Sequence, residues 1–323
     1  MTKRPGFTVI EFLTVCGLVS VLATLAMPAL QESRESARST QCKNNLKMLG
    51  LAMHNYHDVY NHFPPGWVLA YGDAASHSGH GWQAALLPYM DQATLFTKID
   101  RHVPFAEPDQ FTSLGVETLQ CPSSSAEDIN ELRGGFGNSN YSGNYGSEPI
   151  PRWTSGRMES WWPGGGEVIS METMPLSLFA AKPTSPGTNA PTDQNNPSGQ
   201  PRHNGLFRWN SRIGIRDITD GTSNTLMISE RSVASGSGIW VGLQSNRYEN
   251  DVVTDASFWS PINASFTGYS SEHSGGINAL LCDGAVRFLT ESIDSRAANG
   301  VFQNLADIQD GEVIPPTAWT EEH

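Results

Sequence analysis

The sequence predicts an α+β fold in which a long N-terminal helix packs on an antiparallel β-sheet body, and three observations predict it. An apolar run from Phe7 to Leu30 carries one charge, Glu11. A stripe of apolar residues at helical spacing follows that run without a break. From residue 205 onward, short apolar runs are punctuated by Asp-Gly turn dipeptides, the pattern of hairpins and not of helices.

Composition narrows the function classes. Of 323 residues, 38% are hydrophobic and 16% charged, and the second figure lies below the roughly 25% of an average soluble domain. Gly 31 and Pro 20 are enriched, which suits a turn-rich body. The net charge of −13 repels phosphate backbones, so no nucleic-acid partner is expected. No CxxC pair, HExxH, GxSxG or GxxxxGK[ST] pattern occurs. The chain is therefore expected not to be an enzyme, and neither a metal site nor a cofactor is predicted as part of its function.

Residues 1–6, Met-Thr-Lys-Arg-Pro-Gly, precede the apolar run. As a helix, residues 7–30 extend about 36 Å at about 1.5 Å per residue, enough for a bilayer core of about 30 Å. The expected partner of this segment is the lipid bilayer. Lys3 and Arg4 place the N-terminus in the cytoplasm by the positive-inside bias. A cleaved secretory signal fits less well, because its apolar core is shorter and is not interrupted by an acid. Glu11 is costly in a span unless paired, and the chain itself offers it little: Lys3 and Arg4 lie outside the span. A cut after Gly6 would leave an α-ammonium on Phe7, four residues before Glu11, able to meet the carboxylate on a neighbouring subunit.

Lys-Arg-Pro-Gly followed by Phe-Thr-Val-Ile-Glu resembles the type IV prepilin and pseudopilin signal. The resemblance implies that a prepilin peptidase cuts after Gly6 and that Phe7 is methylated. It implies that Glu11 registers one subunit against the next. Pro28 matches the proline common in the pilin helix, whereas Pro5 stands where a basic residue is more usual. The implied fold is pilin-like.

The helix continues through residues 31–57. Cys42, Leu46, Leu49, Met53 and Tyr56 recur at steps of four, three, four and three, an amphipathic stripe that should face the body. Pro64-Pro65-Gly66 ends the pattern. Cys42 lies on the stripe, and Cys121 follows the apolar residues Val116 and Leu119. In an extracytoplasmic body a Cys42–Cys121 disulfide is permitted, the alternative being two separate thiols. Cys16 and Cys282 read as packing residues. His54, His57 and His62 read as local hydrogen-bonding groups, since no acidic or cysteine partner stands at zinc spacing; His77 and His80 read as solvated.

The body, residues 58–323, begins with short apolar runs between turns, among them Gly81–Leu87. A poorly ordered insertion is expected at about 181–204, where five prolines stand among Ser, Thr, Asn and Gln. Strands are predicted at Gly205–Trp209, Ile213–Ile218, Thr225–Ser229 and Ile239–Val241. Ile277–Leu281 and Ala285–Leu289 form a hairpin about Asp283-Gly284. His273, nine residues and Asp283-Gly284 resemble the signature of a large bacterial family, domain of unknown function 1559. That family also resembles this chain at Gln41–Lys47, at His54–His57 with Phe63–Gly66, at Cys121–Ser123 and at Ile218–Thr225. Acid–base chemistry by His273 and Asp283 lacks a third group, and the bland reading makes His273 a turn cap and Asp283-Gly284 a hairpin corner. Asp217 and Asp220 offer a weak calcium alternative, with too few oxygens for the six to eight that calcium takes.

Together these readings predict a pseudopilin-like structural subunit of a type II secretion or type IV pilus-like assembly. It would be single-pass in the bacterial inner membrane with its body periplasmic, and its partners would be the prepilin peptidase, other pseudopilin subunits and the assembly platform. The rival is a membrane-tethered module binding a solute or carbohydrate, with Trp153, Trp161 and Trp162 as stacking surfaces.

Overall fold

The computed structural model of the chain describes residues 8–69, 79–100, 107–147, 152–154, 157–159, 169–170, 204–208, 210–232, 236–243, 251–257, 260–264, 268–295, 300–312 and 314. In chain order the elements are α1 (Val9–Tyr60), β1 (Trp67–Leu69), β2 (Gly79–Gly81), α2 (Trp82–Leu86), α3 (Ala93–Lys98), β3 (Ile129–Asn130), β4 (Phe136–Ser139) and β5 (Tyr141–Gly146). They continue with β6 (Arg152–Thr154), β7 (Arg157–Glu159), β8 (Ile169–Ser170), β9 (Leu226–Glu230), β10 (Gly238–Ile239), β11 (Gly242–Leu243), β12 (Val253–Asp255), β13 (Gly276–Leu281), β14 (Val286–Thr290) and α4 (Val301–Ala306). The fold is α+β.

Helix α1 has 52 residues and is about 78 Å long. It begins with a capping box: the Thr8 hydroxyl accepts from the Glu11 N–H, and the Glu11 carboxylate accepts from the Thr8 N–H at 2.9 Å. The helix runs through Pro28 and ends at Asn61, whose φ of 59° is left-handed and whose N–H bonds to the His57 carbonyl. That cap carries the helix three residues past the predicted end, and Pro64 and Pro65 then bar another turn. All residues from 8 to 34 are exposed, and this part is long and apolar enough to cross a membrane. Cover begins at Glu35. Cys42, Leu46, Leu49 and Met53 are fully buried, as the stripe predicts, and Tyr56 packs partly against the same core.

What the stripe covers is a five-stranded sheet in the order β12-β5-β9-β13-β14. Helix α1 lies on β13 and β14, and α4 lies on β5 and β9. Apolar side chains fill two cores: Leu46, Leu49, Met53, Ile228 and Leu280 beneath α1, and Ile277, Ala279, Leu289, Phe302 and Leu305 beneath α4. Gly50 permits the close approach of α1, since a Cβ there would stand 3.0 Å from Leu280 Cδ1.

The sheet departs from the antiparallel expectation in one pairing. Val253 and Thr254 of β12 lie parallel to Gly143 and Asn144 of β5. The long intervening chain makes this crossover possible, whereas a short hairpin could not. The predicted hairpin forms, with Ile277 opposite Leu289 and Leu280 opposite Val286. Two predicted strands do not form, and a third, Ile239–Val241, is interrupted by a bend at Trp240 and Val241 between β10 and β11. Ile215–Asp217 is a single 3₁₀ turn, because Asp217 turns back to accept the Gly214 N–H. Residues 205–207 form no strand of their own; Gly205 and Phe207 instead donate to the carbonyls of Tyr145 and Asn144. The predicted insertion at 181–204 lies outside the described residues except for Asn204, which is bonded to Ser147 and Asp307.

Candidate functional site

The sequence-predicted site residues fall in four places. Gly6 and Phe7 lie outside the described residues. Glu11 stands exposed at the start of α1, and contrary to the expectation that its own chain offers little, its carboxylate accepts from the Thr8 N–H at 2.9 Å and the Thr8 hydroxyl at 2.8 Å. The offset of three residues that makes a capping box supplies this local partner.

Asp283 and Gly284 occupy the corner of the β13–β14 hairpin. Asp283 Oδ1 accepts the Ala285 N–H at 2.8 Å, and Gly284 has φ of 84°, the left-handed conformation that glycine takes without strain. His273 stands at the other end of β13. A six-residue strand between them spans about 20 Å, so His273 and Asp283 do not act on one another. Asp217 and Asp220 serve backbone turns: Asp217 caps Gly214, and Asp220 accepts from Asp310 N and Gly311 N at 2.7 and 2.8 Å. Burial, with help from Asp220 and Asp307, pushes the Asp310 carboxyl up to about 6.

Of the candidate histidines, His57 Nε2 accepts from the Ile215 N–H at 3.3 Å, and His62 Nδ1 donates to the Phe63 carbonyl at 2.7 Å. His54 and His57 both lie against the Phe63 ring. Local hydrogen bonding accounts for His57 and His62, whereas His54 is held by packing and its Nε2 is buried without a hydrogen-bond partner among the described residues. Trp161 and Trp162 lie outside the described residues, as does the side chain of Trp153. Trp67, Trp82 and Trp240 are core residues, with the Trp82 and Trp240 indoles donating to the carbonyls of Val252 and Leu114.

The densest chemistry is gathered around His273, whose role is larger than that of a turn cap. Its Nδ1 donates to Glu35 Oε1 at 2.7 Å, while Nε2 lies 3.3 Å from Glu230 Oε1 and 3.6 Å from Cys121 Sγ. Cys121 is disulfide-bonded to Cys42, 79 residues earlier. This bond ties the buried stripe of α1 to the loop before β3. His273 is only 5% exposed and Glu230 1%. Glu230 accepts from the Asn278 N–H and side-chain amide at 2.8 and 3.0 Å. Glu35, at the rim, also accepts from Ser123 at 3.0 Å and pairs with Arg38 at 2.8 Å. Burial opposes the imidazolium, but the hydrogen bonds and charges of Glu230 and Glu35 outweigh it, so His273 titrates above its ordinary value. Burial likewise raises Glu35, and hydrogen bonds from His273, Arg38 and Ser123 outweigh that and leave its carboxyl below the ordinary value.

Glu35 and Glu230 are the members that sequence reasoning missed. Glu35 carried a signal: it stands seven residues before Cys42 and so continues the stripe. Glu230 ends the strand Leu-Met-Ile-Ser-Glu, and nothing in that run announces a buried acid. An open cleft lined by Gln31, Arg34, Glu35, Arg38, Glu272 and Ser274 reaches the cluster at Glu35.

The model of a family described as a protein of unknown function (DUF1559) matches residues 31–296. The match starts where the apolar span ends and takes in every residue of the His273 cluster. No curated protein and no solved structure matches.

Proposed function

The chain belongs to the family of proteins of unknown function DUF1559, and on that premise we propose that it is a pseudopilin-like structural subunit, cut after Gly6, methylated at Phe7 and held in the bacterial inner membrane by α1. Its body stands on the periplasmic side, and the subunit forms or primes a type II secretion or type IV pilus-like assembly. The observation that carries this reading is the continuity of α1: one helix is exposed and, apart from Glu11, without charge from Val9 to Leu30, then carries a buried stripe along the body. An exposed span joined rigidly to a folded body suits subunits that pack helix against helix in a filament core. The Thr8 contacts hold Glu11 at the helix start, and the Phe7 ammonium of a neighbouring processed subunit would attract that carboxylate strongly in a medium without water. No cofactor and no catalysis is needed for this role. The assigned partners are the prepilin peptidase, sister subunits, the assembly platform and the bilayer.

Mass spectrometry of the chain extracted from membranes tests the reading. The expected N-terminus is methylated Phe7. Retention of residues 1–6 in the working protein would overturn it and favour a tethered binding module.

A further inference from the structure

Cys42, Cys121, Glu230 and His273 are all buried, and one ligand-capable atom from each lies within 4.8 Å of all the others. A tetrahedral zinc centre, with Zn–S of about 2.3 Å and Zn–N of about 2.0 Å, sets its ligand atoms about 3.3–3.8 Å apart. His273 Nε2 already stands 3.3 Å from Glu230 Oε1 and 3.6 Å from Cys121 Sγ. We propose that Cys42, Cys121, Glu230 and His273 form a zinc site when the disulfide is reduced, so that the junction between α1 and the body is closed either by a sulfur–sulfur bond or by a metal ion.

The surroundings are those of a metal centre and not only of a buried cross-link. Zinc-bound histidines commonly donate their second ring N–H to a carboxylate, which fixes the tautomer and ring direction. His273 Nδ1 does so to Glu35 at 2.7 Å, leaving Nε2 turned toward Glu230 and Cys121 Sγ. Asn278 grips Glu230 from the strand behind it, and Asn140 Oδ1 accepts the Cys121 N–H at 3.1 Å. An open cleft lined by Arg34, Arg38, Glu35 and Glu272 reaches Glu35, the residue that holds His273 Nδ1. Thiolate ligands favour zinc over magnesium or calcium. The conversion balances simply. A dithiol reductant gives two electrons and two protons to the disulfide, breaking its S–S bond and becoming a disulfide itself. Zinc then displaces both thiol protons as the two Zn–S bonds form.

The test uses the full chain in detergent, reduced with a phosphine, desalted without oxygen and titrated with zinc or with cobalt(II) as a spectroscopic probe. The oxidised chain should bind neither metal at this site. The reduced chain should bind one ion, and cobalt should give thiolate charge-transfer and tetrahedral ligand-field bands. Calcium and magnesium should not compete. Glu35→Gln, a positioning change, should weaken zinc binding about 10–100-fold while keeping the tetrahedral spectrum. Paired Cys42→Ser and Cys121→Ser changes should abolish the charge-transfer band. Should reduction alone unfold the chain, zinc must restore its circular dichroism. A reduced chain that takes up no zinc, is not refolded by it, or binds equally well without both cysteines overturns the proposal. None of these readouts depends on processing at Gly6.

Discussion

His273 Nδ1 lies 2.7 Å from Glu35 Oε1, joining the loop before β13 to the point on α1 where exposure gives way to packing. The bond places a charged pair at the base of the span, between the part assigned to the membrane and the part that belongs to the body. It is backed by Glu230 on the other side of the ring.

This pair predicts a stability maximum bounded by two titrations. The raised His273 value means that its contribution is fully present below the unfolded-state value of about 6.5 and is lost as pH rises through the folded-state value. The lowered Glu35 value means that its contribution is present above the unfolded value of about 4.3 and is lost as pH falls through the folded one. Thermal unfolding followed across pH should therefore show an alkaline decline that flattens in His273→Gln. An unchanged alkaline limb in that variant would remove the imidazolium from the account.

Leu46→Ala should destabilise the body by about 2–5 kcal/mol, because the side chain is wholly buried beneath α1 and its loss leaves a cavity. Denaturant unfolding measures this. Met48→Ala, on the exposed face of the same helix, should change stability by less than about 0.5 kcal/mol.

Glu11→Leu should leave the span inserted and the body folded, since among the described residues the Glu11 carboxylate bonds to Thr8 and to no residue of the body. Subunit association in membranes should fall sharply, read as loss of cross-linked oligomers. Oligomers at normal yield would sink the registering role of Glu11.

Gly284→Ala should cost about 1–2 kcal/mol. The open space around a Cβ there, with His54 Nε2 3.8 Å away, means the cost arises from φ of 84° and not from a clash. Gly284→Asn should recover part of the loss, because Asn tolerates the left-handed region; melting temperatures of the two variants decide it.

Removing the Cys42–Cys121 bond by paired serine substitutions should cost about 2–5 kcal/mol, the range for losing a native disulfide, with the upper part favoured by a long loop. Here the loop joins positions 79 apart in sequence. Urea midpoints of the oxidised parent and the double variant check it.

The sequence alone determined the long helix, its apolar first half, the buried stripe through Cys42, Leu46, Leu49 and Met53, and the hairpin about Asp283-Gly284. These follow from local rules, namely periodicity, composition and turn chemistry, each of which acts over a few residues and leaves a readable pattern. Tertiary structure alone decided the parallel pairing of β12 with β5, the loss of the strand expected at Ile213–Ile218, and the meeting of Glu35, Glu230 and His273 around the Cys42–Cys121 bond. Those residues come from a helix, a strand and two loops, and their nearness depends on how the sheet is ordered beneath α1. Sheet order is set by contacts between distant segments, and no spacing in the sequence records it.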